Sequence, residues 1–346
     1  MKARNFFLIS SIAIFIVLVV AIYGYFIKER GVSADNAQEK IEKTKVSLRF
    51  PIPIVESGQA SFYLAQDKGY YAEEGLDVQF EMGSKELNPV KTVAVGQDTF
   101  GLLGGPDTLL VARSKGIAVK AIGILHKDSN FPCLITLKKS GITSLKQLQD
   151  KKIGFFYGHI STDVLRNMLR KNNIKYTEVD VGFDYNQLIT GQIDAEWAFT
   201  VTAGLDLPAK GIEINFIKPA DYGIVTHGYT LFAAEKTIEQ QPDVVSRFLR
   251  ASLRGVRDAV ANPEEATQSL LKRAPTLDPA LTLARQKAYN AVTSNTEQFP
   301  AGYMDKEMFE TTYKRLVEEN VIDKPFDPAN AFTSQFLENI YPGYKH

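Results

Sequence analysis

Past residue 45 the chain alternates short apolar runs with stretches of helical periodicity. Residues 46–50 alternate with period two and predict a strand. Residues 59–68 predict a helix with Phe62, Tyr63 and Ala65 facing inward and Gly69 at the C′ position. Strands at 76–80 and 99–103 bracket a helix at 86–95. Pro106 then opens a helix that ends at Gly116, and 118–125 reads as a further strand. A second series begins near Leu134. Its strands fall at 134–137, 152–157, 176–181, 193–199, 212–217 and 229–234. Between them lie a short helix capped by Ser144, a helix at 162–171, and one whose start is marked by Asp184 and Gln187. Beyond Pro242 the pattern turns almost wholly helical. Val245, Phe248, Leu249, Leu253, Val256 and Val260 make an apolar face, while Arg247, Arg250, Arg254 and Arg257 line another, read as a solvated face. The β-α rhythm predicts an α/β protein of two lobes, each built on a mainly parallel sheet. Ligands on such sheets bind beyond the carboxyl ends of the strands, and two lobes can present those ends to each other across a cleft.

The N-terminus differs in kind. From Phe6 to Ile27 no residue is charged, and a 22-residue run is long enough for the roughly 20 residues a hydrocarbon core demands. Lys2 and Arg4 resemble the basic start of an export signal, and the apolar run exceeds the roughly 7–15 residues of a cleaved one. Residues 1–27 therefore read as a membrane anchor or long signal segment, and 28–45 as a polar tether. Lys28, Arg30, Lys40, Lys43 and Lys45 after the span would, by count, hold the large domain in the cytoplasm. Large domains translocate largely regardless of charge, and the expectation here is the periplasmic or extracellular face of the membrane.

The 40 basic and 40 acidic residues leave no net charge, which argues against nucleic acid as a partner. The single Cys133 permits no internal disulfide and no multi-thiolate metal site. No P-loop, dinucleotide fingerprint or nucleophile elbow is present.

Several spaced blocks carry a family resemblance. Residues 65–78, with Lys68-Gly69-Tyr70-Tyr71 and Glu74-Gly75-Leu76, are similar to the first signature of the periplasmic solute-binding proteins of ABC importers. Residues 95–101, 112–117, 145–154, 190–195 and 262–266 fit the same group, which serves sulfonates, nitrate, taurine, thiamine-pyrimidine precursors and riboflavin. Residues 219–223, 229–233 and 302–328 most resemble the thiamine-pyrimidine-precursor branch. The resemblance implies the type II periplasmic-binding-protein fold, with lobe 1 over 46–133, lobe 2 over 134–240 and a helical region over 241–346 returning to lobe 1. It implies hinge closure about 133–136 and 229–233, and delivery of a solute to a permease and its ATPase by a monomer without a cofactor. One eukaryotic branch of the superfamily synthesises the pyrimidine with a Cys-rich motif and a reactive His. Residues 197–204 hold neither Cys nor His, so an enzyme is not expected.

The loops after strands are where ligand contacts belong. They offer Glu56, Ser57 and Gln59; Gly104, Gly105, Asp107 and Thr108; Tyr157, His159 and Ser161; Glu196 and Trp197; and Asp221, Tyr222, His227 and Tyr229. Ser57, Asp107 and Ser161 fit helix caps equally well. His159 and His227 lack a second ligand at chelating spacing, so no metal is expected. These loops carry four carboxylates and neither Arg nor Lys. They suit the amino and ring N–H groups of an aminopyrimidine or similar heterocycle, on which Tyr157, Trp197 and Tyr222 would stack. A sulfonate, taurine or nitrate is the alternative, and would call for helix N-termini, hydroxyls and a cation. A sensor is a third class, unsupported by any cytoplasmic output domain.

Overall fold

The computed structural model describes residues 43–84, 86–157, 161–182 and 184–344. The expected anchor over 1–27 and most of the tether lie outside the described residues. Among those described, no helix is long and apolar enough to cross a membrane.

Ten strands are named here in chain order: β1 Thr44–Arg49, β2 Leu76–Glu81, β3 Phe100–Leu103, β4 Val119–Ile124, β5 Pro132–Leu137, β6 Lys151–Phe155, β7 Tyr176–Asp180, β8 Ala195–Phe199, β9 Ile214–Ile217 and β10 Thr230–Ala234. They form two five-stranded sheets, ordered β2-β1-β3-β10-β4 and β7-β6-β8-β5-β9. Within the first, β1 runs parallel to β2 and β3, while β10 lies antiparallel between β3 and β4. Within the second, β6 runs parallel to β7 and β8, while β5 lies antiparallel between β8 and β9. Each sheet is therefore mixed, with four strands running one way and a single antiparallel strand inserted between two of them. The expectation that placed 229–234 in the second strand set is corrected. Every residue of β10 is buried, and a short run apolar on both faces does not say which sheet it joins.

The chain passes between the sheets twice, over 125–131 and over 218–229. The two passages pair with each other: Leu125 N–H donates to Tyr229 O at 2.7 Å, Gly228 N–H to His126 O at 2.8 Å, and Asn130 N–H to Thr226 O at 3.2 Å. The expected hinge strands, 133–136 and 229–233, lie inside β5 and at the start of β10. The passages sit immediately before them, where the backbone is free of a sheet ladder.

Three apolar clusters result. The first lobe has one large core, shared by its sheet and the C-terminal helices. The second lobe has one cluster on each face of its sheet. Leu134, Phe155 and Trp197 meet Val164, Leu165, Met168 and Leu169 of the helix Ser161–Lys171. Cys133, Ile135 and Ile193 meet Ala203 and Leu207 of the helix Thr200–Ala209. The sequence pattern did not reveal that last helix, whose Gly204 and Pro208 interrupt its signal.

The long helix Pro242–Ala261 buries its predicted face against Ala60–Asp67 and the sheet, with Phe248 stacked on Phe100 at 3.8 Å. Its arginines are occupied rather than simply solvated. Arg250 pairs with Glu74 at 2.7 Å, Arg254 pairs with Glu73 while lying 3.7 Å over the Tyr70 ring, and Arg257 donates to the Tyr341 hydroxyl at 3.0 Å.

Candidate functional site

Helix starts and the two passages converge between the sheets. The helix Pro106–Ser114 follows β3, and Gly104 and Gly105 lead into it. At Gly105 an added Cβ would lie 2.7 Å from the His227 carbonyl oxygen, so only glycine lets this loop press against the second passage. Gly104, Gly105 and Asp107 from the first lobe, Ser129, Phe131, Thr226 and His227 from the passages, and Pro132, Val164 and Phe199 from the second lobe line one cavity of about 40 Å³. Its walls are mainly apolar. Thr226 is 4% exposed, and its Oγ1 has no hydrogen-bond partner. His227 Nδ1 meets the Lys127 carbonyl oxygen.

A second, wider groove of about 430 Å³ shares His227. It is lined by Lys127, Lys171, Arg315, Asp305, Glu307 and Glu318 among others, with charges of both signs. Arg315 belongs to the helix Lys306–Glu318, which packs on Pro106–Ser114, and it pairs with Asp107. Burial and the neighbouring Asp107 and Glu319 bear on this guanidinium in opposite directions, and the two carboxylates hold its pKa above the ordinary arginine value.

The other expected contacts are distributed differently. Glu56 caps the turn Ser57–Gln59, and its carboxylate accepts from Gly58 N–H at 3.0 Å. It also accepts from the Tyr289 hydroxyl at 2.9 Å and from the Tyr229 hydroxyl. Burial, and then the charge of Glu56, push both phenols well above the ordinary tyrosine range. Gln59 accepts from Tyr63 and donates to Ile54 O, and Ser57 donates to Thr282 O at 3.2 Å. These three residues tie the loop after β1 to the helix Pro279–Asn290 and to the second passage. Beside them His126 packs among Phe131, Tyr229 and Tyr289 at ring distances of 5.3–5.6 Å, and burial lowers its pKa to about 3.

Glu196 is 1% exposed and points into the face of the second sheet that holds Val181, Leu188 and Ile193. Burial, then Asp184, raises its pKa to about 8. Trp197, 2% exposed, lies on the opposite face, stacked on Phe156 at 6.0 Å and edge-on to Phe199 at 5.2 Å. It backs the cavity through Phe199 rather than lining it. Tyr157 is exposed, and its N–H donates to Asp180. Asp221 and Tyr222 are exposed and do not line the cavity, and the Tyr222 hydroxyl accepts from Leu145 N–H at 3.0 Å. Ser161 opens the helix Ser161–Lys171, Thr108 is half-buried in the helix after β3, and His159 lies outside the described residues.

Of the four carboxylates, then, Asp107 alone borders the cavity, and it is neutralised by an arginine that lies some 200 residues away in sequence. The loop-after-strand rule found Asp107, Gly105 and His227. It missed Phe131, Phe199, Thr226 and Arg315. Phe199 ends β8 and fits the same rule, whereas nothing local marks the other three as cleft residues. Among the described residues no group of three His, Cys, Asp or Glu side chains is placed to hold a metal ion.

Comparison with known proteins accords with this geometry. The chain is 27% identical over 321 residues to the riboflavin-binding protein RibY of Chloroflexus aurantiacus, covering 88% of each chain. It is 26% identical to the formylaminopyrimidine-binding protein of Halalkalibacterium halodurans, covering 79% of this chain and 84% of the relative. It is also 26% identical to a 4-amino-5-hydroxymethyl-2-methylpyrimidine phosphate synthase of Legionella pneumophila, covering 79% and 86%. Among solved structures, the periplasmic aliphatic sulphonate binding protein SsuA of Escherichia coli superposes with a TM-score of 0.66 at 14% identity, over 84% of this chain and 92% of that one. The periplasmic nitrate-binding protein NrtA of Synechocystis gives 0.61 at 14%, over 86% and 88%. The architecture is that of the two-lobed periplasmic binding proteins. A sequence model described as NMT1/THI5 like matches residues 57–266, and the chain belongs to that family.

Proposed function

We propose that this protein is the solute-binding component of an ABC importer, and that it captures a small, flat heteroaromatic compound between its lobes on the outer side of the cytoplasmic membrane. The observation that carries this reading is the cavity lined from both lobes and both passages, with the Phe131 and Phe199 rings as walls and the unpartnered Thr226 hydroxyl as a polar anchor. A volume of about 40 Å³ is far below the roughly 300–1,000 Å³ of small-molecule pockets, so the lobes must part to admit a solute and close on it. The names of two relatives, which bind riboflavin and a formylaminopyrimidine, point to the same ligand class. An anionic solute fits less well, because Arg315, the cation beside the cavity, is already shared by Asp107 and Glu319. The same holds for a thiol-based enzyme. Cys133 is fully buried in the second lobe, and burial drives its thiol pKa up, away from the reactive thiolate.

Titration calorimetry and Trp197 fluorescence on the full-length protein test the proposal. The panel is riboflavin, formylaminopyrimidine, an aminopyrimidine thiamine precursor, taurine and nitrate. The expected result is saturable binding of one heterocycle, weakened on the order of tenfold by Phe199→Ala, which removes an aromatic wall worth about 0.5–1.5 kcal/mol beyond its buried area. Binding of taurine or nitrate alone would overturn the ligand class.

A further inference from the structure

Among the described residues, two groups of polar contacts join the lobes away from the cavity, and both are made from C-terminal helices that belong to the first lobe. The helix Pro279–Asn290 is held there by Tyr289 on Glu56 and by Thr282 O on Ser57. From it Arg285 reaches Asp206 of the helix Thr200–Ala209, with its Nε donating to Asp206 Oδ1 at 3.0 Å. The two side chains are only 18% and 21% exposed. On the other side Glu319, which follows the helix Lys306–Glu318, is 2% exposed. Its carboxylate accepts from Asn167 Nδ2 at 2.6 Å, and its carbonyl oxygen accepts from Arg170 Nη2 at 2.7 Å. Lys171 pairs with Glu318 at 3.6 Å alongside. Asn167 and Arg170 lie on the helix Ser161–Lys171.

These two second-lobe helices cover opposite faces of the same sheet, so the contacts grip the lobe from both sides. Neither Arg285 nor Glu319 lines the cavity. Glu319 is nonetheless one residue removed from it, because Arg315 donates to Glu319 Oε2 at 3.0 Å while pairing with Asp107.

We infer that Arg285 and Glu319 are positioning residues that clamp the lobes shut, and that they set solute affinity through the population of the closed form rather than through contact with the solute. The inference rests on the solute-binding reading for its purpose. The clamp itself is a property of the protein without solute. Apparent affinity scales with the fraction of molecules in the binding-competent state, so a residue outside the cavity can change it without touching ligand. Opening the clefts also exposes Asp206, Arg285, Glu319 and Arg170 to water. The clamp is therefore a bias that solvation can compete with, not a permanent lock.

The test is pulsed dipolar spectroscopy on the full-length protein in detergent, without solute, with spin labels at Val95→Cys in the first lobe and Lys139→Cys in the second. Both sites are exposed, and the native Cys133 is buried and does not compete for label. The unsubstituted clamp should give mainly the shorter distance. Arg285→Ala and Glu319→Ala should each move population to a longer one, with the closed-to-open ratio falling on the order of tenfold. The swap Asp206→Arg with Arg285→Asp should restore the shorter distance, which a merely structural role for either residue would not produce. Should Glu319→Ala fail to fold, Asn167→Ala removes the same contact from the other side. Unchanged distances in variants with native circular dichroism, or a swap that fails to restore closure, would overturn the clamp. The solute panel above is read separately. Binding that survives with unmoved distances sinks the clamp alone, and a working clamp with no solute bound sinks the binding reading.

Discussion

Glu196 shows how a residue can sit at the right place in a strand and still face away from the cleft. Successive side chains of β8 point to opposite faces, and those faces are two separate cores of the second lobe. A carboxyl group held there must be neutral near pH 7, and its pKa of about 8 expresses that cost. The folded pKa lies above the unfolded one, so this group's contribution to stability is full below about pH 4.5 and is lost as pH rises through about 8. Glu196→Gln should remove this slope, raising stability at pH 8 on the order of 2–4 kcal/mol relative to the parent while changing little at pH 4.5. Chemical denaturation at several pH values reads the effect, and parallel curves for the two proteins would contradict it. His126 has the opposite sign: its pKa of about 3 means that stability present above about pH 6.5 is lost as pH falls.

Among the elements, the crossing of Pro242–Ala261 over Ala60–Asp67 depends on one missing methyl. A Cβ at Gly255 would lie 2.4 Å from the Ser61 carbonyl oxygen and 2.6 Å from Ala65 Cβ. Alanine is the better helix former by about 1 kcal/mol, yet the obstacle is backbone and cannot turn aside. Gly255→Ala should therefore destabilise by about 1–3 kcal/mol, and a rise in melting temperature would refute the close crossing. The apolar face of this helix was legible because Val245, Phe248, Leu249, Leu253 and Val256 recur at helical spacing. The strands were legible for a like reason, since short apolar runs between turn residues mark them wherever they pair. Partner choice was not legible. Nothing in the composition of β10 assigns it to the first sheet, and nothing near Arg315 announces Asp107. The candidate site was correspondingly half read. Loop position identified Gly105 and Asp107, which follow β3 directly, and His227 within the second passage, while Phe131 and Thr226 face the cavity only because the two passages pair.

At the scale of the whole molecule, the two lobes are unequal in how they are threaded. The second sheet is built entirely from β5–β9, a single stretch of chain, with its two cores closed by helices from the same stretch. The first sheet cannot be completed from β1–β4. Its position between β3 and β4 is filled by β10, whose Leu231 sits opposite Leu102 across nearly 130 residues. The cost of closing so long a loop falls wholly on the first lobe, whereas the second forms from contacts near in sequence. Assembly should therefore be ordered. As the chain emerges from the ribosome, residues 131–218 can settle into a finished lobe while β3 and β4 still stand apart, each with an open edge where β10 belongs. Hydrogen-exchange labelling during refolding should show β5–β9 protected before β3 and β4, and simultaneous protection would argue against this order. Those waiting edges are unpaired strands, the usual starting point for aggregation. The vulnerable interval in the life of this protein is thus the one between finishing its second half-shell and receiving a single five-residue strand for its first.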